Sequence, residues 1–388
     1  MTRTGPTPHR LTYWALLFGN FVIGVGVLMP AGLLNELGRA FAQDAASIGK
    51  LIGYGAALLL VEAPLLAFLT NRVDRLWLLT AALVVYALGH FASAFAPNFA
   101  TLLTARLLMI GGAAAFTPQA ASTVSLLAPP QRRATTVAFI FLGWPLASAI
   151  GIPLAGLMGA YVGWSSAYLI MSVACTIAAL GVFTTLPARL LAPRLSLAAW
   201  VDVLSSRKIL LILAVTMIFV AGQFTVYPYI AAELKLRIEA APALISILFA
   251  AYGIAGVAGS IISTRVIGRL GATRTVSVHL IIVLAGLAFW AVGGASLPLI
   301  TIGLIAWGYG GGPAISGQQA RLIIANSDAA SASVALNTSV LYGGQALGTA
   351  IGGLLLSGGL ASWNGYVGVG LLMLALGASA LVRESPHS

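Results

Sequence analysis

The sequence predicts an all-α membrane protein with twelve transmembrane helices in two pseudo-symmetric halves of six. Three observations support this fold class. Of the 388 residues, 60% are hydrophobic and only 7% are charged, whereas a soluble domain carries about a quarter charged residues. The apolar residues form twelve runs, each near the length of about 20 residues that crosses a bilayer. Landmarks of the first six runs return in the last six at a spacing of 197 or 198 residues.

The twelve predicted spans follow one another with short breaks. Clusters of turn-forming residues separate them, as at residues 96–98, 128–131 and 294–298. These breaks leave no room for a domain outside the membrane. The predicted spans cover residues 12–34, 48–70, 76–96, 99–123, 134–157, 161–187, 209–231, 241–264, 275–294, 297–320, 330–357 and 362–382.

Lys and Arg residues are unevenly divided between the two sides that these spans define. Fifteen of the 20 fall on the side of the N-terminus, four fall on the opposite side, and Arg106 lies inside a span. Because basic residues collect on the cytoplasmic side, we expect a multi-pass protein of the cell inner membrane with both termini in the cytoplasm. The net charge of +11 then reflects orientation and contact with anionic lipid headgroups, and no nucleic-acid partner is expected.

The longest cytoplasmic segment, residues 188–208, divides the chain into an N-terminal half, residues 1–187, and a C-terminal half, residues 209–388. The internal repeat crosses this linker, since Arg72 returns as Arg269 and Tyr54 returns as Tyr252. Two similar halves of six spans are typical of transporters that hold their site between the halves near the midplane. The single cysteine excludes a disulfide within the chain and a Cys-based metal site, and we expect no cofactor and no metal.

Two segments of the first half resemble motifs of the major facilitator superfamily. The loop between spans 2 and 3 matches the family's charged loop at Arg72 and Arg75 and departs from it at Asn71 and Asp74. Span 4 matches a family motif that begins with an intramembrane arginine, here Arg106, and continues into small residues. The resemblance covers almost the whole chain and is closest to the twelve-span drug/proton antiporters and the sugar-efflux branch, which is arabinose efflux permease-like.

Spans 5 and 1 extend the resemblance. The antiporter signature of span 5 is matched by Gly143, Gly151, Pro153 and Gly156. Small residues of this kind let helices pack closely, and the same face is expected to slide against span 8 of the other half. The end of span 1, residues 32–36, is close to a G-L-L-P-E segment of the efflux branch, which often carries an acid where this chain has Val27.

The resemblance implies a secondary active transporter. It implies export of a small neutral or amphipathic organic compound, drug-like or sugar-like, by proton antiport and alternating access, and we expect a monomer. No G-x-x-x-x-G-K-[ST] motif for nucleotide binding occurs, so the energy would come from an ion gradient. One alternative is a nutrient importer or facilitator of the same fold. A remote alternative is an intramembrane serine hydrolase, with Ser316 as nucleophile and His279 as base.

The resemblance also implies that spans 1, 4, 7 and 10 line the substrate cavity. Helical spacing puts Gln223 and Tyr227 on one face of span 7, and Tyr342 and Gln345 on one face of span 11. The alternative is that such side chains only bond neighbouring helices, at about 0.6 kcal/mol each in lipid. The predicted cavity residues are Asn20, Thr117, Gln223, Tyr227, Tyr309, Tyr342 and Gln345.

Glu62 and Arg106 are the predicted proton-coupling residues. Glu62 is the only acid inside any predicted span. An ionised carboxyl there is costly, so Glu62 suits binding a proton on one side and releasing it on the other; the alternative is a permanently protonated, structural residue. Arg106 is expected to bond backbone carbonyls or to move with the proton cycle. Counted along their helices, the two side chains lie at depths that differ by about 10 Å and should not pair directly.

The charged loop after span 2 is the predicted gate. Its residues Asn71, Arg72, Asp74 and Arg75 would latch helix ends on the cytoplasmic side when the transporter faces outward, and rocking of the halves would make and break the latch. The alternative is a charge cluster that only sets the topology. His90 and His279 are expected near the membrane interfaces rather than in the transport path.

Overall fold

The structure, a computed structural model, describes residues 10–70, 72–191, 197–326 and 330–382. Twelve helices in this part of the chain are long and apolar enough to cross a membrane, which confirms the predicted all-α fold class. Spans 1–12 are Arg10–Gly32, Ala45–Leu66, Arg75–Ala94, Phe99–Leu127, Thr135–Tyr161, Trp164–Thr185, Arg207–Ile238, Pro242–Ser263, Arg269–Val292, Leu297–Ala325, Ala332–Ser357 and Ala361–Leu381. Two short helices, Leu34–Phe41 and Leu197–Ser205, lie in the connections.

Polar side chains start several of these helices. Asp44 accepts a hydrogen bond from the backbone N–H of Ser47 at 2.7 Å, and Asn98 accepts one from Thr101 at 2.9 Å. Each satisfies a backbone donor that the first helical turn leaves free. The bonds from Ser47 also hold the pKa of Asp44 below its usual range. In these spans a single polar residue before the apolar run sets where the helix begins.

Three irregular segments interrupt the regular helices. Gly271, with φ of +74°, bends the chain near the start of span 9, in a backbone conformation that glycine adopts without steric cost. Span 5 contains a π-helical turn over Ala147–Gly151, directly before Pro153. Span 7 breaks at a 3-10 turn over Tyr227–Tyr229. Prolines explain the last two positions, because proline cannot donate the helical hydrogen bond.

The two sets of six spans contact each other along several pairs of helices. Span 2 packs on span 11 and on the break in span 7, span 5 packs on span 8, and span 1 packs on span 7. We call the membrane side that holds the linker the linker face and the opposite side the far face. The π turn and the far end of span 5 pack on span 8, whereas its first part, Arg133–Phe141, packs on spans 1 and 4 of its own half. The halves thus meet at the far face and diverge towards the linker face.

Span 7 is longer than predicted, and this corrects one expectation. It continues to Ile238, whereas the sequence predicted an end at residue 231. Glu233 is therefore a second acid inside a span, and the expectation that Glu62 was the only one is wrong. The charges of residues 233–237 gave this segment the appearance of a loop, but Glu233 and Arg237 form an ion pair at 2.7 Å that lowers the cost of placing both in the membrane.

Candidate functional site

Glu62 lies on span 2 and faces span 4 at Gly111. A Cβ atom on Gly111 would stand 3.5 Å from Oε2 of Glu62, so the glycine leaves room for the carboxyl group. Oε2 is buried and has no hydrogen-bond partner among the described residues, although the residue as a whole is partly exposed. Buried polar atoms nearly always have a partner. This carboxyl group therefore has unused capacity to hold a proton or to accept a bond from a ligand.

Arg106 is buried and binds three backbone carbonyl oxygens. Nη1 donates to Gly26 at 2.9 Å, Nη2 donates to Val27 at 2.6 Å, and Nε donates to Leu51. These bonds tie span 4 to spans 1 and 2, and they confirm the expectation that Arg106 bonds backbone carbonyls. The bonded arrangement uses the planar fork of the guanidinium group, which a lysine cannot reproduce.

Arg106 and Glu62 do not form an ion pair in the described part of the chain. The carboxyl group of Glu62 is level with Gly111, five residues beyond Arg106 on span 4. That separation is about 8 Å along the helix axis. The predicted difference in depth agrees with this geometry, and a coupling between the two residues would have to pass through span 4 or through the motion of the halves.

Three predicted cavity residues carry buried polar atoms that have no hydrogen-bond partner among the described residues. They are both amide atoms of Asn20, the hydroxyl group of Thr117 and the amide oxygen of Gln345. Asn20 is 0% exposed. Unpaired buried amides and hydroxyls cost about 1–3 kcal/mol each, so these atoms among residues predicted for one cavity indicate polar capacity that a ligand or water would satisfy.

Two further predicted cavity residues differ in their surroundings. Gln223 accepts a hydrogen bond from Nε1 of Trp307 at 2.8 Å and donates a weak one to Phe219. Its amide is therefore engaged within the second half. Tyr342 is buried and no hydrogen bond to its hydroxyl is present among the described residues.

The expectation for Tyr309 is not met. Its ring stacks on His279 of span 9, with the ring centres 6.1 Å apart. His279 is buried and bonds the carbonyl oxygen of Thr275 at 2.7 Å. Because span 9 packs behind spans 8 and 10, Tyr309 points into its own half and is not retained as a cavity residue. Helical spacing alone assigns a residue to a stripe but does not say which neighbour the stripe faces.

An aromatic group surrounds Tyr227 at the break in span 7. The rings of Phe224, Tyr252 and Trp307 lie 5.3–6.1 Å from that of Tyr227. The ring centres of Tyr252 and Trp307 are 5.4 Å apart. The sequence identified Tyr252 only as a landmark of the repeat, and Trp307 was missed because an isolated tryptophan in an apolar span carries no further signal.

The predicted gate loop is bonded within its own half. Oδ1 of Asp74 accepts a hydrogen bond from the N–H of Leu76 at 3.0 Å, and Oδ2 accepts one from Arg189 at 2.6 Å. The N–H of Arg75 donates to Leu190 at 3.0 Å. Arg72 is exposed, and Asn71 lies outside the described residues.

The loop is thus anchored to the segment that follows span 6. Arg75 also has two buried side-chain nitrogens, Nε and Nη1, without a hydrogen-bond partner in the described part of the chain. The latch was expected in a state closed at the linker face, whereas the halves here meet at the far face. A bond from this loop to the second half therefore stays a prediction.

The glycines of span 5 are sites of close helix packing. A Cβ atom on Gly143 would stand 2.6 Å from the backbone nitrogen of Phe21, and one on Gly151 would collide with Val25. Gly156 lies near Gly32 and near Ser246 of span 8. With Pro153 at the start of the helix that follows the π turn, span 5 contacts both span 1 and the other half, as expected.

The sequence did not predict the burial of two ionisable groups. Glu233 accepts hydrogen bonds from Arg237 at 2.7 Å, from Trp290 at 3.1 Å and from Asn364 at 3.2 Å. His90 is fully buried, its ring lies 4.8 Å from that of Tyr86, and neither ring nitrogen has a hydrogen-bond partner among the described residues. His90 lies close to the end of span 3, Arg75–Ala94, and its place near a membrane interface stays a prediction.

Metal binding finds no support in the residues that the structure describes. They contain no group of three or more His, Cys, Asp or Glu residues that could hold an ion. The site is an arrangement of a carboxyl group, amides, hydroxyls and aromatic rings inside a helix bundle. Such groups bind and release ligands and protons; they do not form a nucleophile–base pair.

Comparisons with known proteins agree with this geometry. The family model of the Major Facilitator Superfamily matches residues 16–339. The inner membrane transport protein YdhP of Escherichia coli K12 is 27% identical over 382 residues, which is 96% of each chain. A probable sugar efflux transporter of Helicobacter pylori strain HPAG1 is 25% identical over 358 residues, 92% of this chain and 91% of that protein.

A solved structure shows the same fold. It is the crystal structure of a bacterial homologue of the human lysosomal transporter Spinster, in an inward-facing and occupied conformation. The TM-score is 0.77 with 18% sequence identity, over 99% of this chain and 100% of that chain.

Proposed function

Because the chain belongs to the Major Facilitator Superfamily, and is therefore a membrane transporter rather than an enzyme, we propose that it exports a small neutral or amphipathic organic compound by proton antiport. In this proposal the linker face is the cytoplasmic face. Both termini are then cytoplasmic, and the chain works as a monomer by alternating access. The compound is sugar-like or drug-like.

The chemistry of the predicted cavity residues supports a neutral or amphipathic compound. Asn20, Thr117 and Gln345 offer amide and hydroxyl atoms that are unpaired in the described part of the chain, and the rings around Tyr227 offer an apolar wall. None of these side chains carries a charge. The similarity to proteins named as probable sugar efflux transporters favours a compound with several hydroxyl groups.

Glu62 carries the proposal of proton coupling. Its Oε2 atom is buried, has no hydrogen-bond partner in the described part of the chain, and faces Gly111, a position of span 4 without a side chain. Glu233, the other acid inside a span, has three donors around it and an ion pair. A carboxylate with its partners already in place has little reason to exchange a proton, whereas an unpaired one does.

The transport cycle follows from this assignment. With the halves apart at the linker face, the O–H bond of protonated Glu62 breaks, the proton leaves to cytoplasmic water, and substrate enters between the halves. The halves then rock, so that the far face opens. A proton from the outer side binds Glu62, and the substrate leaves.

Glu62→Gln tests the proposal, because glutamine keeps the shape and cannot release a proton. In inverted membrane vesicles with a panel of sugars and drugs, Glu62→Gln should lose pH-driven uptake while substrate exchange without a gradient continues. Glu233→Gln is the matched control. Folded Glu233→Gln protein should keep the dependence of uptake on the pH gradient that the unchanged protein shows. If Glu62→Gln transports substrate uphill with the same dependence on the pH gradient as the unchanged protein, the proton-coupling site lies elsewhere.

A further inference from the structure

A cleft opens between the linker-face ends of four spans of the second half. It has a volume of about 270 Å³ and lies where spans 7 and 9 begin and where spans 10 and 12 end. None of the predicted cavity residues lines it. Its lining residues are Lys208, Ile212, Ala272, Thr273, Arg321, Ile324 and Val382. We call it the basic cleft, and it is separate from the predicted cavity between the halves.

Arg321 is held in place at the wall of the basic cleft. The residue is 5% exposed. Its Nη1 donates hydrogen bonds to Oγ of Ser379 at 2.9 Å and to Oε1 of Gln318 at 3.0 Å, and Nη2 donates to the carbonyl oxygen of Ser379 at 3.2 Å. Because an arginine side chain stays protonated, these neutral groups fix a positive charge beside the cleft.

Lys208 adds a second positive charge that is free to move. The residue is half-buried, and its ammonium group forms no hydrogen bond or ion pair among the described residues. A lysine ammonium group offers three donors on a flexible stem. It can therefore turn towards an anion in the cleft.

Span 9 contributes uncharged donors to the same cleft. The hydroxyl group of Thr273 belongs to its lining, and the bend at Gly271 directly precedes Ala272 and Thr273. The first turn of a helix presents backbone N–H groups that favour an anion. No acid lines the cleft in the part of the chain that the structure describes, so its chemistry is that of an anion site.

The surroundings of the basic cleft are basic as well. Arg207, Arg269 and Arg274 are exposed at the linker-face ends of spans 7 and 9. Asp202 is the one acid at this face of the second half within the described residues, and it accepts a hydrogen bond from Asn326 at 2.5 Å. An excess of positive charge at a membrane surface attracts anionic headgroups.

The depth of the cleft and its apolar rim favour a lipid over a soluble anion. Arg321 lies four residues before the end of span 10, which is about 6 Å along the helix axis. The headgroup layer on each side of a bilayer is about 5–8 Å thick, so the basic groups lie at the level of lipid phosphates. Ile324, which also lines the cleft, is 70% exposed. Its side chain offers a surface for an acyl chain that a free phosphate would not need.

We propose that the basic cleft binds the phosphate group of an anionic phospholipid. Lys208 and the hydroxyl group of Thr273 donate to the phosphate oxygens, Arg321 supplies the fixed charge, and an acyl chain lies along Ile324. The bound headgroup bridges the ends of spans 7, 9 and 10. The inference goes beyond the proposed function, because neither the substrate nor the proton enters it.

Phosphatidylglycerol, added to the purified full-length protein in a neutral detergent, tests the site. A ligand that binds the folded protein stabilises it by mass action, so the midpoint of thermal unfolding should rise with the concentration of this lipid. Phosphatidylcholine and glycerol 3-phosphate at the same concentrations should have no such effect. Equal stabilisation by phosphatidylcholine would show that only acyl chains bind, and equal stabilisation by glycerol 3-phosphate would identify a soluble anion. Either result would overturn the proposal.

Lys208→Gln removes the mobile charge and keeps a side chain of similar length. Loss of one charged hydrogen bond predicts that the phosphatidylglycerol concentration for half-maximal stabilisation rises about tenfold. Arg207→Gln is the matched control, since it removes a charge from the adjacent residue, which is exposed and does not line the cleft. Its half-maximal concentration should stay unchanged. No change in folded Lys208→Gln, or an equal rise in Arg207→Gln, would contradict a site in the cleft.

Thr273→Val provides a second variant that leaves every charge in place. It replaces the hydroxyl group by a methyl group of similar size, so the half-maximal concentration should rise about two- to tenfold. If Lys208→Gln fails to fold, an unchanged concentration in Thr273→Val overturns the site by the same readout. The assay contains no substrate and no pH gradient, and therefore a failure of the proton-coupling proposal would leave its result unaffected.

Discussion

Glu233 and Glu36 show how one pair of charges acts differently in two surroundings. Each acid pairs with an arginine three or four residues later, Glu36 with Arg39 at 3.1 Å and Glu233 with Arg237 at 2.7 Å. The side chain of Arg39 is 73% exposed, whereas that of Arg237 is 15% exposed. The two acids are 197 residues apart, the spacing of the internal repeat. The buried pair also holds Trp290 and Asn364, so it joins three helices where the exposed pair joins none.

We expect Glu233→Ala to lower the free energy of unfolding by about 3–5 kcal/mol, because it leaves the guanidinium of Arg237 buried without its partner. Glu36→Ala is the matched control and should cost no more than about 1 kcal/mol, as exposed pairs do. Thermal unfolding of both variants in the same detergent measures the difference. Equal losses of stability would contradict a structural role for the Glu233 cluster.

At the scale of single residues, the sequence identified the groups that an apolar environment makes conspicuous. Glu62 and Arg106 were recognised because charges inside spans are rare. The burial of His90 and Glu233 was missed because it depends on partners from other spans: Tyr168 of span 6 lies beside His90, and Trp290 and Asn364 bind Glu233. Spacing along one helix contains no information about such partners.

Helix packing between the halves depends on glycines at the scale of whole elements. Gly253 of span 8 sits against the backbone of Ala149 and Ser148, directly on the π turn of span 5. π turns often occur at functional positions in helices. The contact brings together the least regular part of span 5 and a position of span 8 that has no side chain.

Gly253→Ala should therefore damage the contact between spans 5 and 8. An added methyl group would collide with the backbone of Ala149, and we expect a loss of about 1–3 kcal/mol from overpacking. Gly370→Ala is the control, because a Cβ atom there would meet nothing within 4 Å and alanine favours the helix. Thermal unfolding together with labelling of Ser246→Cys from the far face checks both. A Gly253→Ala protein with unchanged stability and labelling would contradict the tight contact.

The elements themselves were largely predictable. All twelve spans occur where the apolar runs predict them. The reason is that an apolar run of about 20 residues is long enough to cross the bilayer as a helix. The end of span 7 was the main error. There an ion pair and two hydrogen bonds from other spans make a charged segment compatible with the helix.

The state of the whole molecule decides what the gate loop does. The halves meet at the far face, and the hydrogen bonds of Asp74 among the described residues all come from its own half, from Leu76 and from the segment after span 6. A latch at the linker face would form in the opposite state. Arg72, which is exposed here, and the unpaired nitrogens of Arg75 are the groups available for it.

Arg72→Ala should leave the protein folded and shift it towards the state that is open at the linker face. A latch worth about 1.4 kcal/mol corresponds to a tenfold change in the ratio of the two states. Labelling of cysteines at the linker-face ends of spans 4 and 10 should therefore rise, and transport should fall. Arg132→Ala is the control, since Arg132 is an exposed arginine of another linker-face loop. Unchanged labelling with full transport in Arg72→Ala would rule out the latch.

The sequence by itself determined the fold class, the number of spans, the division into two halves and the candidate carboxyl group. These properties follow from the amino-acid composition and from the spacing of the apolar runs and repeated landmarks, which can be observed in the sequence without knowing how the helices pack. Only the tertiary structure decided that Arg106 binds three carbonyl oxygens, that Tyr309 faces span 9, and that Asn35 reaches Ala231 across the halves. Those contacts join residues as much as 196 positions apart, and their existence depends on how the helices pack, which no local pattern records.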